Sequence, residues 1–226
     1  AARGALEELK GLAPMQKATL SNGLKVVLAE RHAAALVDFS LIVDAGYASD
    51  TQQTEGLASL TGRMLEEGTT SRSASAISEA FEAAGAQFSV YTGLDSVTVS
   101  LNTLKATLPK ALDVYADVVQ HPAFAPNELE RLKKDQLAAI AREKSNPQAM
   151  GLRVLPQLLF GAGHAYAVPV SGSGTEAGVS GLKRDDLAQY HQLLALHADA
   201  AESDFGDVAL PFEEDGSVVE HDEIVG

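Results

Sequence analysis

The sequence predicts an α+β domain in which a mostly antiparallel sheet is covered by helices. Three observations predict it. Strand-like segments crowd the first half of the chain, long amphipathic helices fill the second half, and no βαβ alternation links them.

The elements follow in order. "ATLSNGLKVVLAE" (18–30) places apolar residues on both sides of Asn22-Gly23, a dipeptide favoured in tight hairpin turns, and predicts a hairpin. "ALVDFSLIVDAG" (35–46) is apolar enough to predict a central rather than an edge strand, ending at Gly46. Residues 55–67 predict a helix stopped by Gly68-Thr69, and "ASAISEAFEAAG" (74–85) a second one with Gly85 just past its end. "AQFSVYTGLDSVTVSLNTL" (86–104) alternates around Gly93, as two antiparallel strands do. Apolar residues at helical spacing over 106–120 stop at His121-Pro122. The helix of 127–147 opens on Asn127 with Glu130 three residues on, a capping-box pattern, and ends before Pro147. Residues 148–160 predict a further helix, 161–178 a Gly/Ser-rich loop, and 183–197 a last helix.

Composition narrows the function. With 46% hydrophobic and 21% charged residues in 226, the chain can bury a sizeable core and is not a disordered sequence. The net charge of −14 argues against a nucleic-acid binder, which needs clustered Lys and Arg, and against an anionic membrane surface. No apolar run approaches the ~20 residues of a membrane span. Cysteine is absent, which excludes disulfides, thiolate metal sites and cysteine nucleophiles together. The opening "AARGALEELKGLAP" does not read as a signal peptide. Residues 198–226 hold ten Asp and Glu and no Lys or Arg, and read as a solvated acidic tail.

Six histidines occur, at 32, 121, 164, 191, 197 and 221, and none makes the spacing that puts two imidazoles on one helical face for zinc. His191 and His197 fall on different faces, and His221-Asp222-Glu223 lies in the acidic tail. Nucleophile-elbow, Walker and dinucleotide motifs are missing. "GAGHAYAVPVSGSG" precedes no lysine-bearing helix start, which argues against phosphate binding. In "GLASLTGRMLEEGTT" (56–70), Leu57, Leu60, Thr61, Met64 and Leu65 form the core stripe of a helix, while Ser59, Gly62, Arg63 and Glu66 share another face. Gly62 in mid-helix costs ~1 kcal/mol relative to alanine. Arg63 stays protonated and would repel a divalent cation.

That segment resembles the "G-x-A-H-x-x-E-H-M-x-F-x-G-T" stretch of the pitrilysin, insulysin and mitochondrial processing peptidase family, the inverted zinc metallopeptidases. "LSNGLKVVLAE", "LIVDAGYASDTQQTEGLA", "FEAAGAQFSVYTGLDSVTVS", "HPAFAPNELERLKKDQLAAIAREKSNP" and "LLFGAGHAYAVPVSGSGTEAGVSGLKRDDLAQYH" resemble further segments of that family in collinear order, over about residues 16–192. The resemblance implies a half-domain of that fold over 16–197, with 1–15 as an N-terminal extension and 198–226 as a tail. The family's pattern after "YH", with its second homologous half, is lost here, as in a truncated, frameshifted or naturally shortened product.

Carried over residue by residue, the resemblance leaves no catalytic group. The first zinc histidine falls on Ser59, the general-base glutamate on Gly62, the second histidine on Arg63, and the downstream glutamate ligand on Ala139. The chain is therefore expected to hold no cofactor and to have no peptidase activity alone. The family's substrate-pairing edge strand falls on Phe88, Ser89, Val90 and Tyr91, with Ser89-Val90 where active members have Asn-Ala. Two functions follow as expectations. One is the non-catalytic subunit of a two-subunit peptidase, enclosing unfolded peptides with a zinc-bearing partner of the same family. The other is a stand-alone peptide-binding or scaffold domain. The resemblance implies a bacterial periplasm or envelope setting, with the cytoplasm as the other possibility.

Overall fold

A computed structural model describes residues 15–20, 24–31 and 33–196. The Asn22-Gly23 turn, His32, His197, His221, the N-terminal extension up to residue 14 and the acidic tail lie outside the described residues. The chain divides into two compact units, one holding the N-terminal hairpin and the other beginning at Arg31.

In the first unit, β1 (Met15–Thr19) pairs antiparallel with β2 (Lys25–Ala29), from Met15↔Ala29 to Thr19↔Lys25. The Leu20 N–H donates to the Leu24 carbonyl at 2.9 Å and continues the ladder toward the turn.

The second unit runs β3 (Leu36–Val43), α1 (Leu57–Met64), α2 (Ala74–Ala83), β4 (Gln87–Thr92), β5 (Val97–Leu104), α3 (Leu108–Gln120), α4 (Pro126–Ser145), α5 (Pro147–Phe160), α6 (Glu176–Gly181) and α7 (Arg184–Leu196). Its sheet has the order β3-β5-β4, with both pairs antiparallel. The α+β class expected from the sequence is the one observed.

Period-two alternation sorts the strands' side chains by face. Val43, Val97, Val99 and Leu101 are buried on one side. Phe88 stacks on Phe81 of α2 at 5.1 Å, and Phe39 meets the Tyr115 ring of α3 edge-on at 5.2 Å. The Tyr115 hydroxyl donates to the Val99 carbonyl at 3.0 Å, so a buried phenol finds its partner in the central strand. The other side carries a polar ladder: Ser40 and Ser100 hydroxyls lie 3.2 Å apart, and the Asn102 amide donates to Asp38. Helices cover the apolar face. In α4, Leu129, Leu132, Gln136 and Ile140 recur at helical spacing and are all buried.

Three expectations are corrected. The central strand of this sheet is β5, and β3 lies at one edge. Leu36 and Ile42 made β3 look doubly buried, but they sit on the polar side and are exposed. The helix at 127 has no capping box. Pro126 at the first helical position starts α4 one residue early, Ala125 is the N-cap, and the Asn127 amide donates instead to Glu128 at 2.9 Å. The side-chain cap appears at α5, where Asn146 accepts from the Gln148 and Ala149 N–H groups at 3.0 and 3.1 Å. Within the expected loop 161–178, the helix α6 begins at Glu176.

Candidate functional site

Helix α1 lies against the sheet on one flank and α4 on another. Leu57, Leu60, Thr61, Met64 and Leu65 are all buried, as the apolar stripe predicts. The helix has no capping side chain of its own, because Gly56 stands at its N-cap. Asp50 supplies the cap from the preceding loop: one carboxyl oxygen accepts the Gly56 N–H at 2.8 Å, and the other accepts the Ala58 N–H at 3.1 Å. Burial pushes the Asp50 carboxyl up to about 6, against the pull of those backbone hydrogen bonds.

The Gly/Ser-rich loop closes over the first turn of α1. Ser59 Oγ donates to the Gly172 carbonyl at 2.8 Å, and the Tyr47 hydroxyl donates to the Val170 carbonyl at 2.9 Å. Gln136 of α4 donates to the carbonyls of Ser173 at 2.9 Å and Gly56 at 3.2 Å. Arg153 of α5 pairs with Glu143 of α4 and donates to Ser173 Oγ at 2.7 Å and the Gly174 carbonyl at 2.6 Å. Gly174 has φ +74, and a Cβ there would run into the Glu55 backbone, so both the conformation and the close approach require glycine.

The other positions singled out by sequence are now placed. Gly62 is buried where α1 crosses β4, and a Cβ added there would lie 2.6 Å from Thr92 Oγ1. The mid-helix glycine thus has a packing reason. Arg63 is exposed, with Asp135 of α4 at 3.7 Å. Asp135 also accepts from Arg131 at 3.4 Å, and Arg131 reaches Glu67 at 2.6 Å, so a chain of ion pairs ties the end of α1 to α4. Ala139 is half-buried on α4, beside buried Ile140.

Phe88, Ser89, Val90 and Tyr91 lie on β4, at the opposite edge of the sheet from β3. Phe88 and Val90 are half-buried, whereas Ser89 and Tyr91 are exposed. No described residue pairs with the outer edge of β4.

A zinc ion does not fit the residues present. A serine whose hydroxyl is engaged by a carbonyl, a glycine, a permanently charged guanidinium and an alanine offer no imidazole or carboxylate ligand. Among the described residues no three His, Cys, Asp or Glu side chains converge on a point. The one buried histidine among them, His191, packs edge-on to Phe124 at 5.6 Å, with Nε2 2.6 Å from the Val119 carbonyl. A groove of about 400 Å³ lies near Asp50, lined also by Ser49, Thr54, Asp186 and Tyr190, away from Ser59 and Arg63.

Sequence reasoning found α1, the apolar stripe and the β4 edge. It missed the Asp50 cap and the anchors Gln136 and Arg153, whose partners lie 6 to 80 residues away. The one local signal was the glycine spacing of "SGSG" at 171–174.

The family profile described as "Insulinase (Peptidase family M16)" matches residues 25–166. The chain is 26% identical over 176 residues to an uncharacterized zinc protease of Bacillus subtilis, covering 78% of this chain and 42% of that one. It is 29% identical over 178 residues to the mitochondrial-processing peptidase subunit alpha of Solanum tuberosum, covering 79% and 34%. It thus spans less than half the length of these relatives. Among solved structures, the peptidase M16 inactive domain from Pseudomonas fluorescens superposes with a TM-score of 0.76 at 27% identity, covering 84% of this chain and 50% of that one. Pitrilysin superposes with a TM-score of 0.63 at 21% identity, covering 79% and 19%.

Proposed function

Because the chain belongs to the insulinase family, peptidase family M16, we propose that it is a non-catalytic member, a subunit that pairs with a zinc-bearing peptidase subunit to enclose unfolded peptides. The observation that carries this reading is the state of one face of α1. Where the family resemblance sets two histidines and a glutamate, Ser59 is bonded to the Gly172 carbonyl, Gly62 sits against Thr92, and Arg63 leans on Asp135. A metal-bound water has no ligands to hold it there, and no base stands ready to take its proton. The helix is nevertheless capped by Asp50 and packed against β4 and α4.

The role left to this subunit is to bind and enclose. The free edge of β4 offers N–H and C=O groups to an extended peptide in the β-augmentation mode, with Ser89 and Tyr91 beside the added strand. Two relatives support the pairing: one is named the beta subunit of the mitochondrial-processing peptidase, in Lentinula edodes, and another its alpha subunit, in Solanum tuberosum. No described helix is long and apolar enough to cross a membrane, and an envelope setting in bacteria belongs to the same proposal. The test is reconstitution with a zinc-bearing family member from the same organism. A stable complex and faster cleavage of an unfolded peptide than by the zinc subunit alone are expected. A chain that forms no complex and leaves the rate unchanged contradicts the pairing, and peptide binding by that solitary chain would favour the stand-alone scaffold.

A further inference from the structure

Strand β4 carries an aromatic side chain that the fold leaves in solvent. Tyr91 is 70% exposed, on the strand whose outer edge no described residue pairs. Register sets it in one row with Thr98 of β5 and Ile42 of β3, itself 67% exposed. The next row holds Ser89, Ser100 and Ser40. Residues opposite each other on antiparallel strands share a face. The open side of the sheet therefore reaches the free edge as one largely apolar row and one hydroxyl row, with no charge in either.

A single exposed aromatic needs no explanation by itself, but this one is held in position. Its ring lies over Gly93, where a Cβ would stand 3.2 Å from Tyr91 Cε1 and 3.3 Å from the Ser96 carbonyl oxygen. A side chain at 93 would push the ring aside, so the glycine keeps it flat along the strand. A ring fixed before anything binds lowers the ordering cost of a contact made on it. The carboxylate of the turn that follows, Asp95, is already engaged by the Tyr166 hydroxyl.

We infer that Tyr91 is a specificity-determining residue: an extended peptide added to β4 is selected for an aromatic side chain opposite Tyr91, within an uncharged segment. This selection rests on β4 acting as the peptide-binding edge proposed above, and it adds the class of peptide taken. An added strand sends alternate side chains to the two faces of the sheet. The residue opposite Tyr91 comes to lie on the open face, its Cβ about 5 Å from that of Tyr91. An aromatic ring there packs edge-on or offset against the phenol. Its chain neighbours point to the other face, where half-buried Val90 favours an apolar side chain. Such a segment is a piece of protein core, exposed only while its parent chain is unfolded.

Fluorescence anisotropy of the full chain with short labelled peptides of Ser and Thr, carrying one central Phe, Ala or Lys, tests the selection. At ~0.15 M salt the general attraction of a basic peptide to an acidic chain is screened. The Phe peptide should bind about 5-fold more tightly than the other two. Tyr91→Ser should remove that preference and Tyr91→Phe should keep it, with melting of both variants as in the parent chain, because the side chain is exposed. Two Phe peptides N-methylated on alternate amides, in the two possible phases, report on strand pairing: one phase should lose binding and the other keep it. No binding by any peptide, or binding kept in both phases, overturns the edge itself and this selection with it. Binding that depends on phase but is equal for Phe and Ala, stronger for Lys, or selective for Phe even in Tyr91→Ser, overturns the selection alone.

Discussion

Asp50 and Gly62 carry the tightest constraints on α1. The Asp50 carboxyl titrates near 6 in the folded chain, against an ordinary value of 3.8, because it is buried. The sign follows from linkage: between those two values the folded state holds more protons than the unfolded one, so stability falls as pH rises from about 4 to about 6 and is level above that. At roughly 1.4 kcal/mol per pKa unit the fall is on the order of 2–3 kcal/mol. Denaturant melts at intervals from pH 4 to 8 should show it, and Asp50→Asn should remove that part of the slope. Gly62 tests the crossing of α1 over β4. Alanine there gains ~1 kcal/mol in helix propensity, but its Cβ would meet Thr92 Oγ1 at 2.6 Å, and threonine is stiff about χ1. Gly62→Ala is expected to destabilise by about 1 kcal/mol in the parent chain and to stabilise in a Thr92→Ala background. Additive effects in that double-mutant cycle would deny the contact.

At the scale of elements, the turn after α1 is held to α3 by Asp117. Its Oδ2 accepts from Thr69 at 2.7 Å, Ser71 at 2.8 Å and Arg72 at 2.5 Å, while Arg72 also reaches Asp113 at 2.8 Å. Burial raises the Asp117 pKa, but the hydrogen bonds and the Arg72 charge outweigh it and hold the carboxyl below the ordinary range. Here the linkage runs opposite to that of Asp50: stability is fully present above the ordinary carboxylate pKa and is lost as pH falls through the folded value. Asp117→Asn should cost about 1.5–3 kcal/mol near neutral pH and flatten the acid limb of the melting profile. None of this network is local in sequence. The elements themselves were legible because each announces its own period: Leu129, Leu132, Gln136 and Ile140 mark one face of α4, and the alternation through 87–92 and 97–104 marks two strands. The failures came where one signal had two physical causes. The apolar outer residues of β3 read as burial on both faces, and Asn127 was read as a cap where Pro126 had already begun the helix. Long-range anchors such as Arg153 on Ser173 and Gly174 leave no local pattern, so the closed loop over Ser59 appeared only once the chain was folded.

At the scale of the whole molecule, the chain has the fold of its family, and on the face of α1 where we propose that the metal ligands are missing, Ser59, Gly62 and Arg63 engage in packing and a surface ion pair. The net charge of −14 sits largely in residues 198–226, which hold ten Asp and Glu and no Lys or Arg. The central claim, that this scaffold is non-catalytic, is tested most directly by one measurement on the purified chain. It is equilibrated with zinc and freed of unbound metal, its metal content is determined, and the same sample is assayed on an unfolded peptide. Zinc far below one equivalent, with no cleavage, is the expected result. One equivalent of tightly held zinc together with cleavage by the chain alone would contradict it.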